Sequence, residues 1–146
     1  MKLLLNLQNE RISLLHFIDL HLWELMYKLN RDIIQHYQCI QKTDTTLEYI
    51  FQFVPFSFFP SFYTHMFIQK QDNIYTMKSV KTPELKCKNC IQLETLNDTI
   101  TILGTDHNLT IEINFDLPEE SSVLEPAVKQ MFKKIMNRIK TYIESL

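Results

Sequence analysis

The sequence predicts an α+β fold: an antiparallel sheet of six to seven strands, one or two short N-terminal helices, and a long C-terminal helix packed on the sheet. Three observations predict it. Between Thr46 and Asp116 apolar residues recur mainly at every second position, the period of a half-buried strand. After Ser122 the spacing changes to three and four, the period of an amphipathic helix. The chain has 146 residues, 45% hydrophobic and 22% charged, which suits one core and one domain spanning 1–146.

The elements follow in order. Ile12 to Ile18 is apolar and partly β-branched, and reads as a strand. Asp19 is a candidate cap for a short helix over 20–29, where Leu22, Leu25, Met26 and Leu29 share a face. Residues 31–41 fit either a second short helix or the start of a strand. Leu47, Tyr49, Phe51 and Phe53 then alternate with Glu48 and Gln52. Phe62 to Lys70 and Ile74 to Lys81 form a strand pair turning at Gln71-Asp72-Asn73. Ile91 and Leu93 alternate, Asn97-Asp98 reads as a tight hairpin turn, and Thr99 to Leu103 follows. Gly104 opens a turn into Asn108 to Asp116, where Leu109, Ile111, Ile113 and Phe115 occupy one face. In the final helix Leu124, Val128, Met131, Phe132, Ile135, Ile139, Tyr142, Ile143 and Leu146 fall three or four apart, with Lys129, Lys133, Lys134, Arg138 and Lys140 elsewhere. Ser122 and Glu125 match a capping box, and Pro126 suits the first turn. From Pro126 to Leu146 such a helix runs about 30 Å, enough to cross a sheet.

Composition excludes several classes. A formal charge of -2 argues against a general nucleic-acid binder. No stretch reaches the ~20 apolar residues of a transmembrane helix. The apolar run at Leu3-Leu4-Leu5 is too short for a signal peptide, and no transit segment precedes the domain. The three cysteines, Cys39, Cys87 and Cys90, are an odd number and read as reduced thiols. Twelve lysines stand against three arginines, with a single glycine and a single alanine, a bias that points to an AT-rich genome.

The run Phe51-Gln52-Phe53-Val54-Pro55-Phe56, the segment Phe58 to Phe62, the strand pair joined at Asp72-Asn73, and Leu109 to Pro118 leading into the last helix together resemble the START-like, helix-grip superfamily. Within it the chain is similar to an uncharacterised cyanobacterial and plastid family, over roughly Arg11 to the end. The resemblance implies a curved sheet wrapped around the terminal helix, with a cavity between the sheet and Met131, Ile135 and Ile139. It implies a non-enzymatic domain holding an apolar small molecule such as a lipid, pigment or isoprenoid, without a cofactor. With the AT-rich bias and no transit segment, it also implies a plastid-encoded protein of the stroma or thylakoid surface.

The chain offers further candidate sites, the aromatic segment from Phe56 to Phe62 foremost. Cys87-Lys88-Asn89-Cys90 has metal-ligand spacing but no second ligand pair, and no helix to make it a redox motif. His16 and His65 fall on predicted strands, and none of the five histidines sits in a metal pattern. Asp116, Glu119, Glu120 and Glu125 suit the start of a helix better than acid–base work. The basic stripe of the last helix reads as a solvated face. Phe56, Phe58, Phe59 and Phe62 stand between Pro55 and a strand, with Pro60 among them. Such a loop either closes over the core or presents an apolar patch to a partner or membrane. The second alternative makes the chain an accessory or assembly protein of a photosynthetic membrane complex.

Overall fold

In the computed structural model, which describes residues 1–19, 21–55, 61–72, 74–81 and 90–146, the chain runs β1 (Lys2–Gln8), α1 (Leu14–Ile18), α2 (Leu22–Leu29), β2 (Ile34–Lys42), β3 (Thr46–Phe53), β4 (Phe62–Gln71), β5 (Ile74–Ser79), β6 (Ile91–Gln92), β7 (Leu96–Thr105), β8 (Asn108–Asp116), a 3-10 segment (Glu119–Leu124) and α3 (Glu125–Glu144). Seven strands form one antiparallel path in the order β1-β8-β7-β5-β4-β3-β2. The two-residue β6 pairs with β4 in parallel, off that path. The sheet curls as a half-barrel, and α3 lies in its hollow, packed against β1 and α2.

Neighbours along the path follow one another in the chain except at two places: β5 and β7 have β6 between them, and β1 pairs with β8 from the far end of the chain. Leu3, Leu5 and Leu7 face inward and Leu4 outward, so a period of two is present but masked by four leucines in six residues. The sequence reading passes over this strand because Leu4 hides the alternation.

Where the reading and the structure differ, local capping decides. Ile12 to Ile18 is no strand; its second half is α1. Ser13 caps that helix by accepting from the His16 amide, and Asp106 from the β7–β8 turn accepts from the Leu15 amide and the Ser13 hydroxyl. These bonds hold the Asp106 carboxyl below its ordinary range. Asp19 ends α1 instead of starting α2, and its carboxylate receives Lys70 and the Tyr75 hydroxyl. Residues 34–42 are strand, on the outer edge, where Gln35, Gln38 and Gln41 are exposed. Two bulges, at Ile34/His36 and Cys39/Gln41, twist this edge. The capping box at Ser122 does not form, because residues 119–124 take a 3-10 course and α3 starts at Glu125 with Pro126 in its first turn.

Polar side chains tie the last helix down. Asn9, 7% exposed, donates to the carbonyls of Ile143 and Leu146, which the end of a helix leaves without intrahelical partners. Arg138 reaches across to both Asp32 oxygens and to the buried Asn30, whose amide also bonds the Met26 carbonyl. The same asparagine thus closes α2 and receives α3.

Candidate functional site

A cavity of about 70 Å³ lies between the hollow of the sheet and the two longer helices. From α2 it receives Trp23 and Met26, and from α3 Phe132 and Met136. The sheet adds Tyr49, Phe51 and Phe53 from β3, Met66 from β4, Met77 from β5 and Phe115 from β8. Four of the six methionines of the chain, Met26, Met66, Met77 and Met136, stand around it. Methionine is flexible and polarisable, so such a wall repacks around different shapes. The aromatic rings are ordered by one another: Phe53 stacks on Phe62 at 4.6 Å between centroids, Phe115 meets Phe132 at 5.7 Å, and Trp23 meets Tyr75 edge-on at 5.5 Å.

One charged residue enters this apolar space. Asp98 is 5% exposed and belongs to the cavity wall. The pleat carries Asp98, Ile100 and Ile102 to the inner face. Between Leu96 and Thr99 a bulge sets Asn97 and Asp98 opposite Phe115 alone, with Asn97 at φ 57°. The predicted hairpin turn at Asn97-Asp98 is therefore a bulge inside β7; the real turn is Asp106-His107, and Gly104 still pairs with Leu109. The extra residue resets the alternation, so Leu96 ends outside and the aspartate inside. Asp98 Oδ2 accepts from the Thr95 hydroxyl at 2.5 Å. Oδ1 has no hydrogen-bond partner among the described residues. Burial pushes the carboxyl up to about 6; the Thr95 bond opposes this and Asp116 adds to it. The Tyr49 phenol is driven above its ordinary range, chiefly by burial and further by the nearby Asp98.

No protein-family model matches the sequence, and no curated protein matches it significantly. Solved structures do match the fold. The lipid transfer and protein localization domain of human StarD13 superposes with a TM-score of 0.64 at 12% identity, covering 99% of this chain and 76% of that one. Human STARD10 gives 0.61 at 15% identity over 94% of this chain and 62% of the other. Ara h 8.0201 gives 0.57 at 16% identity over 100% and 97%.

The fold is the START-like helix-grip fold.

In helix-grip terms the cavity occupies the space between grip and helix. Met131, Ile135 and Ile139 are all buried on α3, on the side packed into the sheet, while the helix turns Phe132 and Met136 to the cavity itself. Phe62 is 7% exposed and stacked on Phe53, so it belongs to the core. Phe56, Phe58 and Phe59 lie outside the described residues, as does Cys87. Cys90 lies 3.8 Å from the Ser61 hydroxyl, and Cys39 is exposed. His16 is exposed on α1. His65 alternates with the cavity residues Thr64 and Met66, and so points to the opposite face, where it meets Glu48 at 2.9 Å. Asp116 binds the Met1 amino group and Asn97, while Glu119, Glu120 and Glu125 are exposed. No helix of the described residues is long and apolar enough to cross a membrane. A wider groove of about 1060 Å³ runs along the outer side of α3 past Asp32, Lys133, Lys134 and Arg138. Its lining mixes these charged side chains with Leu29, Ile33, Val54 and Met131, so the predicted cavity residue Met131 borders this groove and not the inner cavity.

Proposed function

We propose that this chain is a binding module for an apolar small molecule held between the sheet and helices α2 and α3. The observation that carries this reading is the methionine- and aromatic-walled cavity at that position. The helix-grip fold supports it, because the StarD13 domain that shares the fold is described as a lipid transfer domain. At about 70 Å³ the cavity is roughly half the ~150 Å³ of an engineered apolar cavity that binds benzene. A lipid, pigment or isoprenoid therefore enters by enlarging it. The four methionines are the residues that yield, since each swings through three torsions at little cost.

The test uses chain labelled with ¹³C at the methionine methyl groups and titrated with toluene. Saturable shifts are expected at Met26, Met66, Met77 and Met136, with Met1 unmoved. Shifts that never saturate, or that spread evenly over all six methionines, reject the reading.

A further inference from the structure

We propose that Asp98 is the polar anchor of the cavity, and that the ligand it selects is an apolar molecule carrying one hydroxyl group. This rests on the reading of the cavity as a binding site. A buried polar atom without a partner is uncommon, and a carboxylate oxygen is among the most expensive to leave so. Asp98 Oδ1 is such an atom, and its residue stands in the wall of a mostly apolar space whose other polar members are Tyr49, Thr64, Thr95 and Asn114.

The side chain is held there from both sides. Thr95 binds Oδ2, and Thr95 is itself fixed by its amide bond to the Ser79 hydroxyl at 3.1 Å. Asn97, in the left-handed conformation next door, donates to Asp116 at 3.1 Å. Turning Asp98 toward solvent would undo the bulge that these bonds define. The aspartate is thus turned inward by the backbone, with one oxygen bonded to Thr95 and one left without a partner among the described residues.

The chemistry of the presented oxygen selects the head group. While Oδ2 accepts from Thr95, a proton on the carboxyl sits on Oδ1. In the acid form Oδ1 donates; in the ionised form it accepts. A ligand carbonyl serves only the first form, and an ammonium group only the second. A hydroxyl serves both, since it donates and accepts. The rest of the ligand meets a wall that is mostly apolar, Met66, Met136 and Phe115 among it.

Phenol and toluene have nearly the same shape and differ by hydroxyl against methyl. Their dissociation constants are measured from the methionine methyl signals, for the unmodified chain, Asp98→Leu and Asp98→Asn. Without a partner for its hydroxyl, phenol suffers on entering an apolar site. The unmodified chain is expected to bind phenol at least as tightly as toluene. Asp98→Leu is expected to shift the phenol-to-toluene ratio by tenfold or more toward toluene, and Asp98→Asn, which keeps a donor and an acceptor, to hold it within about threefold. If Asp98→Leu does not fold, Asp98→Ala takes its place. Tighter toluene binding by the unmodified chain, or a phenol preference that survives Asp98→Leu, overturns the anchor and leaves the apolar cavity standing. Failure of both probes to bind overturns the anchor and the cavity reading together.

Discussion

Asp98 links the stability of the chain to pH, and the sign follows from its environment. Its carboxyl titrates near 3.8 when unfolded and is raised to about 6 in the fold. Below the lower value both states hold the proton and the residue costs little. Between the two the unfolded chain releases its proton while the folded chain keeps it, so stability falls as pH rises, and above about 6 it levels off. The charged and titratable groups facing Asp98 are Tyr49 on β3 and Asp116 on β8; helices α2 and α3 present Trp23, Met26, Phe132 and Met136. Asp98→Asn is therefore expected to stabilise the fold by on the order of 2 kcal/mol at about pH 7.5, with the gain vanishing below about pH 3. Urea unfolding across that range measures it, and a parallel pair of curves would exclude the effect. The residue was partly legible in sequence. Asn-Asp has the chemistry of a turn, and the left-handed Asn97 does use it. What identifies Asp98 as inward is its phase with Ile100 and Ile102, a local alternation that the turn signal overrides.

At the scale of elements, β8 and α3 were legible because each has one dry and one wet face along its full length. β2 was not, since as an edge strand beyond the core it buries little on either face and shows no apolar alternation. Helix α1 was not, because its five residues owe their form to Ser13 and to Asp106, ninety residues away in sequence and a neighbour only in the fold. The β7–β8 hairpin that delivers Asp106 has its own requirement. Gly104 sits at φ 105°, and a Cβ there would lie 2.4 Å from the Asn108 carbonyl oxygen across the hairpin. Gly104→Ala is expected to cost at least about 2 kcal/mol and to loosen α1 along with the hairpin. Denaturant midpoints measure the first effect and amide exchange at Leu15 and His16 the second; protection unchanged at α1 would show that the two are not coupled.

Over the whole molecule, the packing that holds α3 in the sheet opposes the room a ligand needs. Met136 lies on that boundary, 6% exposed and part of the cavity wall. Met136→Ala is expected to lower stability by about 2–3 kcal/mol while enlarging the cavity. Saturating toluene should then raise the melting temperature of the variant more than that of the unmodified chain. An equal or smaller rise goes against a cavity bounded by this side chain. The pairing of β1 with β8 has a further consequence, one of timing. Leu3, Leu5 and Leu7 pair across the sheet with Ile113, Ile111 and Leu109. On a ribosome adding ~5–20 residues per second, the first strand made waits on the order of 5–20 seconds for its partner. Throughout that interval three leucines stand in a row on a strand with two open edges, the state in which strands from different chains join. The first strand of this sheet is seated only when its last strand arrives, and the nascent chain needs cover there until β8 emerges.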